Sequence, residues 1–376
     1  MLNRVLAGGY LLENIIDNYL EVFKDRGDKE DLSNAKKRAK RNLLSAIVGC
    51  SGSEKCWRNH LRDSLLLSGE LMEELYRGLV NGFHSFDSII SLSLVLRSLG
   101  LVGSGGGLLR NIFEVGLNID WVLGLPYYPG SSIKGAVRAT AEEFLKEETV
   151  KRIFGREGEE GSISSLVFYD SYPIGCEGNG SHPCLIITGG VVTPHYYSNG
   201  ETVEAESDAT PTPIQHIVIA PGTVFRVIVG VRCPTYRAEN GKTSIDTGAM
   251  KEVISRILGE DHARVCDTSP NDKNTRCPCI QEYTTALAVL ITTTLSKGFA
   301  ARSAKGYNIL DLYTGEITRD VKSLALYIPS PTRQDSRPKE SHSTKPYRDH
   351  RMHKDRKRRH PAGPDKNYSS RGRKRR

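Results

Sequence analysis

Two short segments gather the residue types that hold phosphate. The first is Gly124–Arg138, which reads G-L-P-Y-Y-P-G-S-S-I-K-G-A-V-R. Pro126, Pro129 and Gly130 stop any preceding strand, and Ser131 or Ser132 is then the expected helix N-cap. Ile133, Ala136, Val137, Thr140, Phe144 and Leu145 follow at the spacing of one apolar helix face. Lys134 and Arg138, four apart, share another face. A helix start with hydroxyls, free N–H groups and two cations suits an anion such as phosphate. An ordinary capped helix with solvated cations accounts for the same residues equally well.

The second segment is Gly298–Gly306, G-F-A-A-R-S-A-K-G, where Lys297, Arg302 and Lys305 surround Gly298 and Gly306. Glycines let a backbone approach a polyanion closely and the cations supply the attraction. Its plain alternative is a helix-to-strand connection with solvated charges. A third glycine cluster, Gly103–Gly107, matches neither phosphate-loop nor dinucleotide fingerprints, so it reads as a connection and no cofactor is expected. Of the eight cysteines, Cys266, Cys277 and Cys279 could supply three zinc ligands, with His262 or Cys233 as the fourth. Buried thiols and loop disulfides are the competing reading. Disulfides would be unusual in a cytosolic chain unless its source is a hyperthermophile.

The elements that must position these groups are legible from periodicity. The first hundred residues read as helical, with a charged stretch at Asp28–Arg41 and a helix over Leu61–Leu79. Strands are expected at Asn111–Trp121, Leu166–Asp170, Leu185–Thr193, Ile217–Ala220, Thr223–Val231 and Tyr307–Tyr313, with Pro221-Gly222 joining the fourth and fifth. Helices are expected over Gly248–Leu258 and along the stripe Tyr283–Leu295. The polar segments 197–213 and 260–280 read as loop insertions.

Charge divides the chain. Of 376 residues, Pro329–Arg376 holds 17 Lys+Arg against 5 Asp+Glu, which leaves 35 basic and 39 acidic residues in Met1–Ile328. A near-neutral body therefore carries a basic tail, which lacks the apolar residues for a core and reads as disordered, with attraction for a polyanion. With 38% apolar residues the body can bury a core, yet no apolar run nears the ~18 residues of a membrane span. No secretory signal is read at the start, so a cytoplasmic location is expected.

The pattern P-x-x-P-G-S-S-I-K-G-x-x-R at Pro126–Arg138, with the late glycine-bearing loop, resembles the RAMP superfamily of CRISPR-associated proteins. More narrowly, it resembles the sixth-subunit family of the type III-B Cmr effectors. Ile153-Phe-Gly155, Val167-Phe-Tyr-Asp170, Val192-Thr-Pro-His-Tyr-Tyr197 and Pro211-Thr-Pro-Ile214 are similar to motifs of that family. Its late loop commonly reads G-I-G-A-K-T-x-x-G-Y-G. Here Ala300 and Asn308 stand where glycines are usual, and Arg302 where Lys is common. The charge is kept with less backbone freedom.

The resemblance, which covers roughly Leu92–Tyr313, implies an α+β fold with a ferredoxin-like, RRM-type core at 92–328 that follows a helical portion at 1–91; the basic tail at 329–376 finds no counterpart in the family. It implies a non-catalytic, RNA-binding subunit that packs beside other Cmr RAMP subunits near the 3′ end of the guide RNA. Guide RNA and target RNA would be its partners, with no membrane and no metal. Ser131, Ser132, Lys134, Arg138, Lys297, Gly298, Arg302, Lys305 and Gly306 would then meet the RNA backbone without reading sequence. An alternative is a metal-independent endoribonuclease with His195 as general base; another is a pure scaffold. Asp170 reads as a strand-end cap.

Overall fold

The computed structural model describes residues 33–34, 36–42, 57–81, 86–103, 112–113, 115–156, 163–177, 186–193, 197–198, 201–202, 205, 213–237, 242–268, 277–314 and 324–327. Two compact units divide the chain, Met1–Pro331 and Thr332–Arg376. The second lies wholly outside the described residues, as do His195, most of the 197–213 insertion and the Ser104–Gly107 part of the third glycine cluster.

In chain order the elements are α1 (Trp57–Asn81), β1 (Ser88–Leu96), α2 (Gly130–Glu142), α3 (Glu147–Phe154), β2 (Leu166–Phe168), β3 (Tyr172–Cys176), β4 (Ile187–Val192), β5 (Tyr197–Ser198), β6 (Glu201–Thr202), β7 (Ile214–Ile219), β8 (Thr223–Val231), β9 (Thr235–Arg237), β10 (Thr243–Ile245), α4 (Thr247–Leu258), α5 (Glu260–Ala263), α6 (Val265–Thr268), α7 (Ile280–Ser296), β11 (Leu310–Leu312) and β12 (Leu324–Tyr327). The main sheet is antiparallel and runs β11-β1-β8-β2, with β3 continuing beside β8 and β12 beside β1. None of the described helices is long and apolar enough to cross a membrane.

β1 and β8 are buried along their whole length, which requires cover on both faces. Alternation assigns the faces. Ile90, Leu92, Leu94 and Leu96 of β1 join Phe225, Val227, Val229 and Val231 of β8 in the main core, with Ile133, Val137 and Ala141 of α2 and Tyr283, Leu287 and Ile291 of α7. The register pairs Leu92 with Val227 and Leu94 with Phe225. On the opposite face Ile89 and Ile228 pack under Met72 and Leu79 of α1. That face also buries Ser93 and Arg226, whose Nη1 donates to Ser93 Oγ at 2.8 Å, and Glu73 of α1 reaches Arg226 at 3.5 Å. Ser68 Oγ of α1 donates to the Pro173 carbonyl at 2.7 Å. The sheet is thus sandwiched between α1 and the α2/α7 pair.

Three expectations need correction: the helical reading of the first hundred residues, which β1 (Ser88–Leu96) interrupts, the strand at Asn111–Trp121, and the all-loop reading of 260–280. Pro221-Gly222 joins β7 to β8 as expected, and the two strands it joins lie in different sheets: β7 pairs with β4 in a separate two-stranded sheet, while β8 enters the main one. Gly222, at φ +85°, donates its N–H to the Leu96 carbonyl, and this turn switches the chain between sheets. Asn111–Trp121 shows no strand among its described residues, only an isolated bridge from Ile119 to Pro126. Asp120 Oδ1 accepts the Val122 and Leu123 N–H groups, so the chain turns there. The 260–280 segment is partly helical, as α5 and α6. The candidate zinc set is divided between two disulfides, Cys233–Cys277 and Cys266–Cys279, and Cys176 is also disulfide-bonded.

Two glycines of α2 should respond oppositely to alanine. A Cβ at Gly130 would lie 2.2 Å from the Phe168 carbonyl oxygen, whereas nothing lies within 4 Å of one at Gly135. Gly130→Ala should cost about 1–3 kcal/mol through forced backbone displacement. Gly135→Ala should be neutral or gain up to about 1 kcal/mol of helix propensity. Urea denaturation of the two variants checks this.

Candidate nucleic-acid interface

The first segment enters α2 through Tyr128. Its backbone exchanges two hydrogen bonds with Ser171, at 3.0 and 2.9 Å. Its ring is fully buried, 4.9 Å from Phe225 and 4.9 Å from Phe299 between centroids. Burial pushes the phenol far above its ordinary range, so it stays a neutral donor. The hydroxyl donates to Asn308 Oδ1 at 2.9 Å.

The expected serine cap is not present. Pro129 is the N-cap and no side chain of its own caps the helix. Its fixed φ is preorganised for a helix start, so Ser131 and Ser132 fall in the first turn. Ser131 is exposed and Ser132 half-buried. The cap comes from another element: Asp170 Oδ1, just beyond β2, accepts the Gly130 N–H at 2.8 Å. The negative charge favoured by a helix start is therefore supplied from within the chain. The Ser132 N–H is also engaged, by the Pro129 carbonyl. These contacts occupy the Gly130 and Ser132 N–H groups at the start of α2, while its flank stays open to solvent. Ser131, Gly135 and Ala139 form a low, exposed row there, beside Lys134 and Arg138.

The two cations of α2 differ. Arg138 Nε is 2.8 Å from Glu142 Oε1, an i,i+4 pair that offsets its charge. Lys134 has no carboxylate partner among the described residues. Partial desolvation, and then repulsion from Arg138, lower its pKa. A phosphate beside these groups would favour the charged ammonium and so oppose both effects.

The second segment follows α7. Gly298 and Gly306 have φ of +87° and +80°, and three non-glycine residues also adopt positive φ: Ala300 at +57°, Arg302 at +63° and Asn308 at +59°. Ala300 and Asn308 are the two positions where glycine was the expected residue. Their left-handed backbone gives the physical reason for that preference. A short 3₁₀ turn, Ser303–Lys305, lifts Arg302 and Lys305 into solvent, and Lys297 is exposed at the helix end. Among the described residues none of these three pairs with a carboxylate. The Arg302 guanidinium lies 6.0 Å from the Tyr307 ring centroid.

Asn308 joins the two segments. It is fully buried. Oδ1 accepts from the Leu101 N–H at 2.6 Å and the Tyr128 hydroxyl at 2.9 Å. Nδ2 donates to the Leu101 carbonyl at 3.0 Å and the Ala301 carbonyl at 2.8 Å. Every hydrogen-bonding position of the amide is used. Phe299, buried against Tyr128, adds an apolar link. Sequence reasoning singled out neither Asn308 nor Phe299 as a site residue. The one available signal was an asparagine at a position that wants glycine.

Asn308→Gly should preserve the backbone angle while stranding Leu101 and Tyr128, at a cost of about 2–4 kcal/mol. Asn308→Ala should cost about 1 kcal/mol more for its left-handed φ. Thermal or urea unfolding separates the two contributions.

The family model of the RAMP superfamily matches residues 101–372. The chain is 29% identical over 239 residues, 63% of its own length and 72% of the relative's, to the CRISPR system CMR subunit Cmr6 of Saccharolobus solfataricus. Among solved structures it is similar to a chain in the cryo-EM structure of the type III-B Cmr-beta bound to cognate target RNA. That match has 23% identity, 80% and 78% coverage of the two chains, and a TM-score of 0.46. It is also similar to the crystal structure of Cmr6 from Pyrococcus furiosus, with 17% identity, 60% and 98% coverage, and a TM-score of 0.28. Since the superfamily match spans well over half of its residues, from the first core strand's exit through both cationic segments, the chain belongs to the RAMP superfamily.

Proposed function

We propose that this chain is a Cmr6-like, non-catalytic RNA-binding and assembly subunit of a type III-B CRISPR effector in antiviral defence. It works in the cytoplasm, with other Cmr RAMP subunits, guide RNA and target RNA as partners. Its body meets the RNA backbone near the 3′ end of the guide. The observation that carries this reading is the pair of cationic segments fastened together by Asn308 and Tyr128. Lys134, Lys297, Arg302 and Lys305 lack carboxylate partners among the described residues, in a body whose net charge is otherwise negative. Unpaired cations on fixed backbone neutralise phosphates without reading bases.

The core supports the same reading. A strand–helix–strand–strand–helix–strand succession with spatial order last, first, third, second is the ferredoxin-like arrangement we assign to it. RRM-type sheets stack bases on an open face. Here α1 covers that face, so RNA is met by the loop and helix instead. Recognition of sequence is left to base pairing within the RNA.

Binding of the full-length chain to an end-labelled single-stranded RNA over a salt series tests this. Each phosphate contact contributes about 0.7 to the slope of log K against log salt. Joint alanine substitution of Lys134, Lys297, Arg302 and Lys305 should therefore lower the slope by about 3. Adding Arg138→Ala should lower it by less than a full contact, because Glu142 already offsets that charge. An unchanged slope, with binding lost only when the cations Arg356–Arg359 and Arg371–Arg376 are replaced, would leave the body a scaffold. RNA cut during incubation would replace this reading with a nuclease.

A further inference from the structure

The disulfides Cys233–Cys277 and Cys266–Cys279 involve none of the residues of the proposed RNA interface, and the first of them sits beside a carboxylate that a disulfide does not need. Asp87 immediately precedes β1, and Cys233 follows two residues after β8. The ladder between those strands pairs Ser88 with Val231, and the Asp87 N–H donates to the Val231 carbonyl at 2.8 Å, which brings Asp87 to the end of β8. Asp87 Oδ2 then accepts the Cys233 N–H at 2.8 Å, which fixes the carboxylate's orientation. Cys277 arrives from the start of α7. A carboxylate oxygen of Asp87 and the two sulfurs all lie within 4.8 Å of one another, with both cysteines buried and Asp87 half-buried.

We propose that, once the Cys233–Cys277 disulfide is reduced, Asp87, Cys233 and Cys277 hold a divalent, thiophilic cation of the zinc type. A tetrahedral ion with ligand bonds of about 2.0–2.3 Å sets its donors roughly 3.3–3.8 Å apart, a separation the two sulfurs can take once their bond is reduced and one that falls inside the 4.8 Å now spanning the three donor atoms. Two buried thiolates beside a carboxylate repel one another, and a dication removes that repulsion. The backbone N–H on Oδ2 supplies the outer hydrogen bond that metal-binding carboxylates use. A fourth position remains for water or another thiolate.

The chemistry balances in two steps. A dithiol reductant gives two electrons and two protons to the disulfide, yielding two thiols and its own cyclic disulfide. The thiols then bind the cation and release two protons. Disulfide and metal are therefore alternative ways of tying the ends of β1 and β8 to the start of α7.

The test uses the full-length protein, reduced with excess dithiol and freed of it, then titrated with Co²⁺ as the probe. The expected result is one equivalent of thiolate-to-cobalt absorption, displaced by Zn²⁺ and absent from the oxidised protein. Asp87→Asn should weaken binding at least ten-fold, and Cys233→Ser or Cys277→Ser should abolish the absorption. Because a variant can fail to fold, the reduced wild type is also alkylated with and without Zn²⁺ and mapped by peptide. Zn²⁺ should protect Cys233 and Cys277 selectively. No absorption in the reduced protein, absorption that survives Cys233→Ser, or equal protection of all cysteines would overturn the proposal.

Discussion

Four hydrogen bonds on one buried amide hold the two cationic segments in a fixed relation. Asn308 takes a left-handed backbone angle, turns its side chain inward and spends every donor and acceptor on Leu101, Tyr128 and Ala301. A buried amide so placed is costly if any partner is lost and specific when all are present. Tyr128 carries that constraint to the start of α2, and Phe299 carries it to the late loop. The loop's left-handed residues cost energy that the buried contacts at Phe299 and Asn308 offset.

The layers bear on where the proposed interface sits. Both faces of the main sheet are covered, the one by α2 and α7 and the other by α1. The start of α2 already holds a negative charge of the chain's own, where Asp170 accepts from the Gly130 N–H. Among the described residues, the flank of α2, with its row of small residues and Lys134, and the raised loop with Arg302 and Lys305 are the surfaces that the proposed function assigns to a polyanion. On that proposal the backbone of a nucleic acid is followed while its bases go unread.

Local signals carried much of this to the reader of the sequence. The β-branched run Thr223–Val231, bounded by Pro-Gly, is β8 residue for residue, and the Tyr283–Leu295 stripe lies within α7. The Arg138–Glu142 pair was available from its spacing alone. Contacts between distant residues were not available. Asn308 meets Tyr128 from 180 positions away and Leu101 from 207, and Asp170 caps Gly130 from 40. No periodicity encodes such partners. The same holds for the Pro221-Gly222 turn, whose local chemistry fits a hairpin while the pairing of β7 with β4 decides otherwise. Spacing along the chain likewise pointed to Cys266, Cys277 and Cys279 as one set, whereas the fold pairs Cys277 with Cys233 and places Asp87 beside them.

In the proposed function the flank of α2 and the loop Gly298–Gly306 form one RNA-facing surface. Amide hydrogen exchange of the full-length chain, with and without single-stranded RNA, tests this. Both segments should gain protection together over the same range of RNA concentration. Protection of one segment without the other, or protection confined to residues outside both, would contradict it.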